Sequence, residues 1–89
     1  MAPEWDTSSY VISSQYRVVV LQHLAEGPAT PSKIATEADM AIAHISRALG
    51  GLREEALVEL LVSEERQKGR VYGITEKGRT VWKQIENKN

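Results

Sequence analysis

The chain has 89 residues, enough for one domain with one modest core. Hydrophobic residues make up 42% and charged residues 26%, and the net charge of −1 supplies no global positive field for a polyanion. There is no cysteine, which excludes disulfides, thiolate nucleophiles, Cys-ligated zinc and iron–sulfur clusters.

The longest apolar runs, Val18 to Leu21 and Met40 to Ala43, have four residues, whereas a membrane span needs roughly eighteen. The start, Met-Ala-Pro-Glu-Trp-Asp, lacks the basic and apolar stretches of a signal peptide. A cytoplasmic protein with no membrane partner is expected. Charge is uneven. Residues 1–30 set Arg17 against Glu4, Asp6 and Glu26, whereas residues 76–89 set Lys77, Arg79, Lys83 and Lys88 against Glu76 and Glu86.

Trp5, Tyr10, Val11 and Ile12 form an apolar cluster that suits a short helix. A longer helix is expected from Ser14 to Glu26, capped by Ser13 or Ser14. Val18, Leu21 and Ala25 line one face, with Tyr16, Val20 and Leu24 beside them. Val18-Val19-Val20 is β-branched and permits a strand, but the length and the Ala-Glu-Gly stop favour helix. Gly27-Pro28 ends it. Thr30-Pro31 then opens a short helix reaching Glu37 or Ala38, because Thr caps and Pro at the first helical position loses no needed N–H. After Ala38-Asp39-Met40, Ile42, Ile45, Leu49 and Leu52 recur at helical spacing and predict an inward stripe. Ala43, His44, Ser46, Arg47 and Gly50 occupy the opposite face. Two short helices joined by a tight turn make a helix-turn-helix pattern.

Beyond Glu54-Glu55-Ala56 the period becomes two. Val58, Leu60 and Val62 predict a strand, residues 63–69 a polar hairpin loop, and Arg70 to Ile74 the returning strand. Thr75 caps a final helix from Glu76 to about Glu86, with Val81, Trp82 and Ile85 apolar.

Three stretches carry a family resemblance. Ala43-His44-Ile45-Ser46-Arg47-Ala48-Leu49 resembles the start of the recognition helix in MarR-like and ArsR-like regulators. Leu57-Val58-Glu59 resembles the strand that follows it, and Tyr72-Gly73-Ile74-Thr75-Glu76-Lys77-Gly78 the junction from wing strand to last helix. Over residues 14–85 the set is most similar to small archaeal winged helix-turn-helix transcriptional regulators. The resemblance implies an α+β fold: a three-helix bundle, a two-stranded β-hairpin wing and a C-terminal helix. One domain spans 1–89, with 1–13 an N-terminal extension, 14–75 the core with wing, and 76–89 the last helix. The chain departs from the family at three places. Ala41 stands at a position that is often a polar cap, so Asp39 or the backbone must satisfy the helix start. Gly50-Gly51 lies inside the recognition helix, which implies local looseness or a close neighbour. Ala56 replaces the usual glycine, so a turn that avoids the left-handed region is expected there.

The implied partner is double-stranded DNA. Ala43, His44, Ser46 and Arg47 would read the major groove; the alternative is a solvated polar face. Thr30, Ser32 and Lys33 would hold backbone phosphate, or simply cap their helix. Arg66, Lys68 and Arg70 would contact phosphates or a minor groove from the wing, or form an ordinary charged hairpin beside Glu64-Glu65. Trp5, Tyr10, Val11, Val19, Trp82 and Ile85 exceed what so small a core needs and suggest a homodimer surface; alternatively they close the monomer core.

Enzymatic readings find no support. His23 and His44 have no triad spacing, Ser13-Ser14 lacks a nucleophile elbow, and the acids make no paired or metal-binding pattern. No cofactor or metal is expected, and a small-molecule effector is unknown. The rival function is a winged helix adaptor for protein–protein contact, consistent with the near-neutral charge, Glu54-Glu55 and Glu64-Glu65.

Overall fold

The computed structural model describes residues 3–62 and 70–87, with side chains described from residue 7 onward. The elements run α1 (Pro3–Ile12), α2 (Gln15–Glu26), α3 (Pro31–Ala38), α4 (Ile42–Glu54), β1 (Val58–Leu60), β2 (Tyr72–Ile74) and α5 (Glu76–Asn87). The order is that of a winged helix, with one extra helix in front. The predicted loop at residues 63–69 lies outside the described residues.

Helix α2 is the centre of the packing and meets α1, α4, α5 and β2, while α3 packs on α4. Its wide apolar sector is thereby used on several sides. Leu21, Leu24, Ile34, Ile45, Leu49, Leu52 and Leu57 are fully buried. Each such side chain stabilises the fold by roughly 1.5–3 kcal/mol relative to exposure. Ile42 departs from the predicted stripe: it stays 51% exposed at the first position of α4. Helical spacing fixes the direction in which it points, and no described element covers it on that side.

Helix starts differ in how they are satisfied. Thr30 caps α3 by accepting from the Lys33 amide at 3.1 Å, as its sequence suggested. Ser14 occupies the N-cap of α2 but makes no side-chain cap bond, and the Ser13 hydroxyl donates instead to the Tyr10 carbonyl at 2.8 Å. Ala41 likewise gives α4 no side-chain cap. Asp39 belongs to the preceding turn, in the left-handed region at φ 57° and ψ 49°.

The end of α4 corrects the expectation for Ala56. Its φ is 62°, so the left-handed turn does form on an alanine. The Leu57 amide donates to the Leu52 carbonyl at 2.9 Å and the Ala56 amide to the Arg53 carbonyl at 3.0 Å. This is the paired closure of a Schellman turn, and Leu52 and Leu57 are buried at its two ends. Those bonds and that burial outweigh the Cβ penalty of about 1–2 kcal/mol. Ala56→Gly is therefore expected to raise stability by about 0.5–1 kcal/mol, after the extra freedom of glycine in the unfolded chain is subtracted. Urea denaturation of the two proteins measures it.

Gly51 shows the close-neighbour alternative. A Cβ there would meet the Tyr10 hydroxyl, whereas one on Gly50 would meet nothing within 4 Å. Tyr10 is held by Arg17, whose guanidinium lies 3.8 Å from the ring centroid and donates to the Tyr10 carbonyl at 2.8 Å.

The hairpin is antiparallel, pairing Val58 with Ile74, Glu59 with Gly73 and Leu60 with Tyr72. Both strands are shorter than predicted. Tyr72 also exchanges backbone bonds with Ala29, at 2.9 and 3.1 Å, so β2 is sewn to the segment between α2 and α3.

The junction into α5 is held by several hydrogen bonds. Thr75 caps α5 by accepting from the Gly78 amide at 3.0 Å, and its hydroxyl donates to the Ala56 carbonyl at 2.6 Å. The Thr75 amide donates to the Leu57 carbonyl at 3.0 Å, and Lys77 Nζ reaches the Glu55 carbonyl at 3.0 Å. Gly78 is buried against that Leu57 carbonyl. The strand-to-helix motif thus clamps α5 onto the turn that ends α4.

Candidate nucleic-acid interface

Helix α4 is buried along Ile45, Ala48, Leu49 and Leu52. At about 100° per residue, the remaining positions fall into an outward face and two flanks. Ala43, Arg47 and Gly50 are exposed and point outward. His44 is also exposed, but it lies on the α2 flank. Its ring stacks on Tyr16, with centroids 4.6 Å apart and planes 18° apart. The stack ties the start of α4 to α2, a role that sequence spacing alone does not expose.

The other flank faces the hairpin. Thr30, Pro31 and Ser32 at the start of α3, Ile42 and Ser46 on α4, and Arg70 and Tyr72 at β2 line one open depression. Two α3 candidates, one α4 candidate and one wing candidate are thus brought together. They meet because the Ala29–Tyr72 bridge holds β2 beside the start of α3.

Lys33 is separated from them. It lines a different depression with His23, Glu26, Gly27 and Glu37. There His23 Nδ1 lies 3.0 Å from the Val19 carbonyl and Nε2 lies 3.6 Å from Glu37 Oε1. His23 links α2 to α3, and among the described residues no group of three or more His, Cys, Asp or Glu could hold a metal ion. Arg66 and Lys68 lie outside the described residues.

The apolar residues assigned to a dimer surface divide. Val11 is 0% exposed within its own chain, because α1 folds back onto α2 and α5; it belongs to the core and is unavailable to a partner. Tyr10, Val19, Trp82 and Ile85 are partly buried against that core. The side chain of Trp5 lies outside the described residues. The contact of α1 with α5 includes a bond from Ser8 Oγ to Gln84 Oε1 at 3.0 Å. Ile12, a member of the predicted N-terminal apolar cluster but not of the expected dimer surface, is 55% exposed on α1. No described helix is long and apolar enough to cross a membrane.

The model of the HVO_A0261 N-terminal domain family matches residues 5–88, nearly the whole chain. The chain belongs to that family. No curated protein sequence matches it. Solved structures share this fold. A variant of Lactococcus lactis ZitR in complex with DNA matches with a TM-score of 0.70 and 26% identity, over 83% of this chain and 51% of that one. The MarR family transcription regulator SP03579 matches with a TM-score of 0.78 and 20% identity, over 91% and 54%. The reduced form of the transcriptional regulator YodB from B. subtilis matches with a TM-score of 0.80 and 20% identity, over 99% and 87%. SP03579 and YodB are transcription regulators. The chain spans about half the length of ZitR. The expected winged helix architecture is thus the observed one.

Proposed function

We propose that the chain is a sequence-specific, double-stranded DNA-binding transcription regulator that works as a cytoplasmic homodimer. In this reading α4 enters the major groove, and the wing follows the backbone or a minor groove. The observation that carries it is the convergence of Thr30, Ser32, Ser46 and Arg70 beside the exposed face of α4. Hydroxyls and a guanidinium there suit phosphate and base edges, and Arg47 has the fork that matches guanine. The DNA complex of ZitR, on a similar fold, adds support. The archaeal affiliation read from the sequence motifs belongs to the same proposal. Selection of duplexes from a random pool by the full chain tests it. Enrichment of one recurring sequence is expected, and an unenriched pool contradicts sequence-specific readout.

The homodimer would use α1, α2 and α5 through Tyr10, Val19, Trp82, Ile85 and Trp5, leaving α4 free. Trp82 lies with Gln22, Ala25 and Arg79 in a surface depression between α2 and α5, which keeps part of its ring available. A mass near two chains is expected by light scattering at tens of micromolar. Trp82→Ala should lower the association and weaken DNA binding together. A mass near one chain rejects the dimer, and unfolding by that single change assigns Trp82 to the core.

A protein–protein adaptor is the second reading. The observation that favours it is Lys33, which sits among Glu26 and Glu37 and away from the depression that holds Arg70. A duplex pool that is not retained even at low salt would select the adaptor.

A further inference from the structure

Of the four apolar stripe residues of α4, Ile42 alone is left uncovered, 51% exposed where Ile45, Leu49 and Leu52 are buried. Among the described residues nothing local explains an isoleucine there. It occupies an exposed first helical turn, where a β-branched side chain lowers helix propensity and cannot cap. It completes no core. Its surroundings are mixed: Thr30, Ser32 and Ser46 supply hydroxyls, Arg70 a guanidinium, and Pro31 and Tyr72 apolar surface.

An open depression in which an isoleucine, a proline and a tyrosine mix with hydroxyls and a cation does not match a site that buries an apolar small molecule, because such sites are enclosed and mainly apolar. It does match a duplex edge. In the major groove the 5-methyl of thymine is the one apolar group, and phosphates stand on either side of it. We propose that Ile42 is a specificity-determining residue that packs on a thymine 5-methyl, while the hydroxyls and Arg70 around it face the flanking backbone. The proposal rests on the DNA-binding reading. Ala43 follows Ile42 but projects about 100° further around the helix, so it would meet a different base pair.

The test uses the full chain and the duplex it selects from a random pool. Each thymine in turn is replaced by deoxyuridine, which removes the 5-methyl group. Burying one methyl is worth about 0.8 kcal/mol, so at least one replacement should weaken wild-type binding roughly fourfold. The same replacement should change Ile42→Ala binding by less than twofold. Ile42→Val, which keeps Cγ1 and Cγ2 and loses only the Cδ1 methyl, should retain most of the sensitivity. Thermal unfolding of both variants should stay close to wild type, since Ile42 is uncovered. A selected site without thymine, a wild type indifferent to every replacement, or an Ile42→Ala protein with undiminished sensitivity overturns the role of Ile42 and leaves DNA binding intact. Failure to retain any duplex at low salt overturns the DNA-binding reading and this proposal with it.

Discussion

Gly78→Ala is expected to lower the unfolding free energy by about 2–4 kcal/mol. A Cβ at this position would run into the backbone carbonyl of Leu57 and lie only 2.7 Å from Ile74 Cγ1. A flexible side chain would rotate aside, but a carbonyl moves only with its chain. Leu57 follows the Schellman turn of α4, and its carbonyl also accepts from the Thr75 amide. Overpacking of this kind costs roughly 1–3 kcal/mol, and a loosened buried bond adds about 1 kcal/mol. A domain of this size has only about 5–13 kcal/mol of stability, so the change removes a large share of it. Gly50→Ala is the matched control. It introduces the same methyl on an exposed helix face with nothing within 4 Å, and should stabilise by about 0.5–1 kcal/mol. Urea midpoints that move in opposite directions support the clamp between α5 and the end of α4. Equal midpoints would contradict it.

Arg47→Ala is expected to cost about 1–3 kcal/mol of binding to the selected duplex and to relax its sequence preference. Arg47 lies on the outward face of α4, opposite the buried Ile45, Ala48, Leu49 and Leu52. The fold does not need it there, so the variant should unfold with wild type. His44 should behave differently. Its ring is stacked on Tyr16, so His44→Ala disturbs the seating of α4 as well as any direct contact. Competition binding against mismatched duplexes separates the two effects. Loss of discrimination marks a base contact, and a uniform loss marks a displaced helix. If Arg47→Ala and wild type bind the selected duplex equally, the recognition role of Arg47 fails.

Much of the architecture could be read from the chain because its signals are local. Thr30-Pro31 caps and starts α3 through neighbouring atoms, and the Gly27-Pro28 pair stops α2 in a conformation, φ 156° and ψ 163°, that only glycine adopts readily. The strand-to-helix motif was legible for the same reason, although the purpose of Gly78 emerged only with the Leu57 carbonyl beside it. The misreadings are tertiary. Ile42 has the correct spacing for the core, but period does not tell whether another element covers that direction. Val11 looked surplus because the return of α1 onto α2 and α5 has no local signature. Ala56 argued against a left-handed turn on its own residue cost, and the paired closure with Leu52 and Leu57 outweighed it. Of the candidate site, Thr30, Ser32, Ser46 and Arg70 converge, while Lys33 departs because the N-terminal turn of α3 sends it toward Glu37.

In the proposed function this winged helix binds duplex DNA through α4 and the hairpin. A salt titration of binding to the selected duplex tests it most directly, because each neutralised phosphate contributes about 0.9 to the slope of log affinity against log salt. Affinity should be modest, should fall steeply as salt rises, and should exceed that for a scrambled duplex at every salt concentration. Arg70→Ala should weaken both duplexes alike and flatten the slope. Binding that is absent at low salt, or that shows no salt dependence and no preference between the duplexes, would contradict the claim.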